Sequence, residues 1–131
     1  MQAKMIGIRA TQVLFFLFML DQARNWITWT FYPESAMALF QVSAETVWGI
    51  NMLKTDMTSG VAAAGVCALL YFVRGAQWLP PAIVIVSVFL VTRGISLIVD
   101  GTTAMLWYGM LYEGAYFAAA YILWRHHNSE A

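Results

Sequence analysis

The chain has 131 residues, of which 61% are hydrophobic and 11% charged, with seven basic and seven acidic side chains in balance. A soluble domain carries about 25% charged residues, so this few would leave the surface of a 14.7 kDa soluble protein uncovered, whereas they suffice for a surface that faces lipid. No basic run gives nucleic acid an electrostatic footprint, the single cysteine, Cys67, excludes an intrachain disulfide and chemistry that needs a cysteine pair, and His126 and His127, adjacent at the tail, cannot clamp a haem within a bilayer.

The first apolar stretch runs from Met5 to Trp29 and is interrupted by Asp21 and Arg24. Lys4 and Arg9 ahead of the run Val13–Leu20 resemble a secretory signal, but Asp21, Gln22, Ala23 and Arg24 follow in place of a small-residue cleavage site. The segment is therefore read as a retained membrane helix. Pro33 ends it. A long connection leads to Leu53; its stretch Ala36–Val42 is apolar enough to lie at an interface, and Ser43 is the expected N-cap of the next helix.

The second stretch, Met57 to Val73, contains no charge, and Arg74-Gly75 separates it from the third. The third runs from Gly75 to Thr92, continues past Arg93 to Val99, and is opened by Pro80 and Pro81, where a missing N–H costs little. Asp100-Gly101 makes the next turn, and the fourth stretch runs from Gly101 to Trp124 with Glu113 inside it. Each supplies about 20 residues, the length that spans a bilayer core. The apolar residues run continuously and do not alternate, which excludes a membrane β-barrel. The predicted architecture is all-α: a single domain over 1–131, a four-transmembrane-helix bundle with spans near 5–29, 53–73, 79–99 and 103–124.

Charge bias sets the expected orientation. Lys4 and Arg9 precede the first span, Arg74 joins the second to the third, and Arg125 follows the fourth; the other two connections hold Glu34, Glu45, Lys54, Asp56 and Asp100, a net acidic set. The positive-inside rule then places both termini in the cytoplasm of an inner membrane. On that orientation Trp26, Trp29, Tyr32, Trp48, Trp107 and Tyr108 mark the outer interface, and Trp78, Tyr121 and Trp124 the inner one.

Ionisable residues inside spans cost roughly 2.5–3.5 kcal/mol each near the centre, and they tend to face inward and pair. At about 1.5 Å per residue, Asp21 lies about 18 Å above Arg9, Arg93 about 20 Å above Pro80, and Glu113 about 18 Å above Arg125. Arg24 sits one turn above Asp21 on a face shared with Asn25 and Thr28. Arg93 shares a face with Ser96 and Asp100, and Glu113 with Gly109 and Tyr116, which lets neighbours approach closely. Asn51, Thr55 and Thr58 continue the polar stripe on the second helix. The expected result is a charge-balanced polar pocket in the outer half of the bundle. Ion pairs that merely fix helix register account for these charges equally well. Asp56 and Asp100 taken alone read as turn and cap residues, Lys54 as a snorkelling side chain, and Cys67 as packing. Gly60 with Ala64, and Ser59 with Ala63, give the small-residue spacing of close helix packing or of a dimer face.

The Phe31-Tyr32-Pro33 exit, Asn51 with Asp56, Arg93 through Asp100-Gly101, and Glu113 together resemble a bacterial family of small, uncharacterised four-helix integral membrane proteins, DoxX-like in layout. The resemblance spans nearly the whole chain through short motifs. It implies an inner-membrane bundle and carries over no activity; the Asp21–Arg24 pair has no counterpart in it. Small multidrug exporters share the length and an acidic residue in the first helix, but not the Arg93 and Glu113 pair. Membrane glutathione-transferase relatives carry charges in a second helix that here is uncharged from Met57 to Val73.

The leading expectation is a ligand-binding or accessory membrane protein that holds a partly apolar ligand, or a partner protein's helix, against Arg93, Asp21 and Glu113. Arg24, Asn51, Asp56 and Asp100 complete the candidate binding set. The alternatives are an enzyme performing acid–base chemistry on a lipid-soluble substrate, with Glu113 or Asp21 as the proton-transfer group and Arg93 stabilising negative charge, and a proton-coupled exporter using the same carboxylates. No cofactor and no metal is implied. The partners left open are the bilayer itself, a small ligand, a partner membrane protein and a second copy of the chain.

Overall fold

The computed structural model describes residues 2–40, 42–99 and 101–130, with the side chains of residues 2–4, 48, 51–54, 56, 105 and 130 left aside. The described residues are almost wholly helical: α1 Gln2–Phe31, a short α2 Pro33–Phe40, α3 Val47–Arg74, a single 3₁₀ turn Ala76–Trp78, α4 Leu79–Val99 and α5 Ala104–Glu130. Among the described residues three stretches are long and apolar enough to cross a membrane, Met5–Phe31, Met57–Arg74 and Ala76–Val99. α5 is as long as the others, but its tyrosines, tryptophans and Glu113 dilute its apolar character.

The breaks follow local chemistry. Pro33 cannot continue the hydrogen-bond ladder of α1 and instead takes the first position of α2. Gly75, at φ +100°, stops α3 in a backbone conformation that L side chains rarely adopt, while its N–H still reaches the Tyr71 carbonyl at 2.9 Å. Gly101, at φ +84°, makes the corresponding turn before α5. Pro80 and Pro81 fall in the first turn of α4. α3 begins well before the expected apolar run: the cap is Thr46, whose hydroxyl accepts from the Gly49 N–H at 3.0 Å, and not Ser43. α5 extends past Trp124, so His126 and His127 lie on the helix and not beyond it.

α1 packs against α3 and α5, and α4 packs against α3 and α5, so the contacts between the long helices close into a ring. The N-terminal half of α1 and the C-terminal end of α5 both reach the end of α3 at one end of that ring. There the Tyr71 hydroxyl, near the end of α3, accepts from Gln12 Nε2 at 3.1 Å and lies 3.4 Å from His127 Nε2. The same half holds the core: Phe15 and Phe18 of α1 fill the space left by Ala64, Ala68, Ala82, Ala119 and Ala120 on the other three helices, with Leu79 and Leu123 closing the end. Small residues bring the backbones close, and Tyr116 uses that approach to donate to the Ala64 carbonyl of α3 at 2.8 Å. Trp29 is buried at 1% exposure, with its ring 5.6 Å from that of Phe40 on α2. Ala36 of α2 is likewise buried, and this helix packs against α1.

Candidate functional site

The helices are sealed in one half and open in the other. Between the Ala64–Val86–Tyr116 level and the end remote from Gly75 lies a cavity of about 740 Å³, within the roughly 300–1,000 Å³ of small-molecule sites. Its floor and walls are apolar, built from Val61, Val86, Phe89, Trp29 and Tyr116, and α2 contributes Leu39 and Phe40. Its polar side carries Asp21, Arg24 and Asn25 from α1, Arg93 from α4, and Tyr112 and Glu113 from α5. Asn51 and Asp56 sit on α3 but their side chains lie outside the described residues, and Asp100 lies outside them altogether.

The charges do not merge into one cluster, and among the described residues no charged side chain is fully buried. They form two separate pairs of different character. Arg24 Nη2 donates to Asp21 Oδ1 at 2.6 Å across one helical turn, with the arginine side chain 67% exposed and the carboxylate 27%. Asp21 Oδ2 also accepts from Asn25 at 3.2 Å and from the Tyr112 hydroxyl of α5 at 2.8 Å. Tyr112 in turn accepts from Gln22 Nε2 at 3.1 Å. The Asp21 carboxylate thus receives three donors, and its network bolts α1 to α5.

The second pair joins α4 to α5. Arg93 Nε donates to both carboxylate oxygens of Glu113, at 2.8 and 2.7 Å. The carboxylate is 13% exposed and the arginine side chain 37%. Because Nε serves both oxygens, neither terminal amino group of Arg93 hydrogen-bonds to a described residue. Gly109 makes this geometry reachable. A Cβ there would stand 2.6 Å from Arg93 Cζ, so the guanidinium lies flat on the α5 backbone one turn before Glu113. One turn earlier on α4, Phe89 uses the same device: its ring rests on Gly60 of α3, where a Cβ would stand 2.3 Å away.

Asp21, Arg24, Arg93 and Glu113, named from their depths, all line this one cavity. Gln22, Tyr112 and Phe89 also line it, as does Trp29, which the sequence marks only as an interfacial residue. For Tyr112 a signal exists: Tyr108, Tyr112 and Tyr116 recur every four residues, and hydroxyls on one face of an apolar helix need partners. Gln22 carries a similar signal, being an amide in an apolar run. Nothing in the spacing marks Phe89 or Trp29 as cavity walls. Among the described residues no group of three or more histidines, cysteines or carboxylates could hold a metal ion. Comparison of the chain with protein-family models, with curated proteins and with solved structures finds no match.

Proposed function

We propose that this chain is a small integral membrane protein whose four long helices all cross the bilayer as a bundle, and that it binds a small, partly apolar ligand in its charged cavity. Three helices meet the length and apolarity of a span. At 27 residues α5 extends about 40 Å, enough for a fourth, and its Tyr112 and Tyr116 hydroxyls, which depress its hydropathy, are both satisfied inside the protein. The asymmetry of Lys and Arg among the connections supports cytoplasmic termini and an inner-membrane location. The DoxX-like resemblance of the short motifs is compatible with this architecture.

The observation that carries the binding reading is the cavity itself: a site-sized space with apolar walls and a convergent polar side that includes the Arg93–Glu113 pair. A purely structural ion pair needs no space beside it. Binding is favoured over acid–base catalysis or proton-coupled export because both described carboxylates of the cavity are ion-paired, Asp21 to Arg24 and Glu113 to Arg93. The test is a thermal-stability screen of the purified protein in lipid nanodiscs against a panel of amphiphiles, since a ligand that binds only the folded state raises the midpoint. Compounds that stabilise the wild type but fail to stabilise folded Arg93→Ala and Glu113→Gln variants support the proposal. Equal stabilisation of all three proteins overturns it.

A further inference from the structure

Resting on the binding reading, the bonding around Arg93 narrows the chemistry of the ligand. We infer that its polar end is uncharged and presents an acceptor, such as an ester or ketone carbonyl, next to a donor, such as a hydroxyl, and that the Arg93–Glu113 pair recognises both at once. The first ground is charge. The described charged residues of the cavity are two cations and two anions, and each cation is in contact with an anion. An anionic head would meet a guanidinium already neutralised at 2.7 Å by Glu113, with Asp21 in the same cavity. A cationic head would meet the converse. Either would add a net charge to the balanced set of described charged residues in a largely apolar space, whereas an uncharged head leaves that balance intact.

The second ground is the count of unused hydrogen-bonding capacity. Arginine has five N–H donors in a fixed fork. Only Nε is engaged with Glu113, and among the described residues the four donors of the terminal amino groups are left for an acceptor that brings no charge. Each Glu113 oxygen accepts one bond from Nε and, having about two lone-pair sites, can accept another from a hydroxyl or N–H. Donor and acceptor capacity therefore lie side by side on one ion pair. The Asp21 carboxylate, with three donors already, offers much less. The third ground is the wall opposite the pair. Phe89 and Val61 are apolar and Phe89 is seated on Gly60, so the same cavity takes a hydrocarbon body.

The experiment uses three probes with the same twelve-carbon tail and different heads: 1-monododecanoylglycerol (uncharged ester and hydroxyls), dodecanoate (anion) and dodecyltrimethylammonium (cation). Native mass spectrometry of the full chain released from detergent micelles reads 1:1 adducts across a concentration series. The glycerol ester is expected to form its adduct at roughly one-tenth the concentration the two ionic probes require, and Arg93→Gln to weaken that adduct about tenfold or more, the scale of a lost hydrogen bond to a charged group. Should Arg93→Gln fail to fold, the order of the three probes on the wild-type protein decides alone. An ionic probe binding as tightly as the ester overturns the inference and leaves the binding reading standing. No adduct for any probe, or adducts indifferent to Arg93→Gln in folded protein, overturns both.

Discussion

The two ion pairs among the described residues have the same chemistry and different surroundings. Asp21 is held by an arginine, an asparagine and a tyrosine, and every one of these bonds is directed at its two oxygens. Arg93 is held by one nitrogen, over a glycine, with its remaining donors in a cavity. The Asp21 carboxylate has most of its acceptor sites filled and is tied to α5 through Tyr112, whereas Arg93 and Glu113 present donor and acceptor capacity side by side in the cavity. The difference separates candidate residues that sequence position alone leaves equivalent.

Removing single partners should break this contrast most sharply. Glu113→Ala leaves Arg93 uncompensated in a proposed span and is expected to destabilise the protein by roughly 2.5–3.5 kcal/mol, read by unfolding in a graded series of denaturing detergent. Replacing both Arg93 and Glu113 by Leu should recover most of that loss, because an apolar pair of similar volume often replaces a buried ion pair without cost. The equivalent double replacement, Asp21→Leu with Arg24→Leu, should not recover, since Tyr112 and Asn25 lose their acceptor. Equal recovery at both sites would erase the distinction.

The two glycine seats give the next effect. Gly60→Ala drives a methyl into the rigid Phe89 ring and is expected to cost about 1–3 kcal/mol, as overpacking does. Gly109→Ala meets the flexible end of Arg93, which can swing away, so its stability loss should be smaller while ligand binding falls. Tyr112→Phe removes one bond to Asp21 and leaves Gln22 without its acceptor, for a loss of about 1 kcal/mol in the same unfolding series. Arg24→Ala is the mildest, at about 1 kcal/mol or less, because its guanidinium is 67% exposed and the pair is screened by solvent.

Much of the helical layout was legible because its signals are local. Pro33, Gly75 and Gly101 interrupt the helices where their backbone chemistry requires it, and uninterrupted apolar runs can only be helices in lipid. The charges could be ranked by depth for the same reason, since rise per residue is fixed. Partner choice was not legible. Spacing placed Asp21 level with Arg93, but the bond Asp21 makes across the helices goes to Tyr112, because the rotation of α1 against α5 is set by how Phe18 packs on Tyr112 and Tyr116. The inward face of Trp29 depends on α2 folding back over α1, a tertiary event that hydropathy does not encode. The cavity itself is what remains where the bulky side chains stop meeting, and no local pattern announces it.

The most direct measurement compares two variants in one binding assay. The apparent dissociation constant of 1-monododecanoylglycerol is determined by native mass spectrometry for the wild type, Arg93→Gln and Tyr112→Phe, each shown to be folded. If the Arg93–Glu113 pair is the principal ligand-facing element and the Asp21–Tyr112 network chiefly structural, Arg93→Gln weakens binding about tenfold or more, and Tyr112→Phe lowers stability and weakens binding less than Arg93→Gln does. A dissociation constant that shifts with Tyr112→Phe and stays unchanged with Arg93→Gln would contradict that assignment.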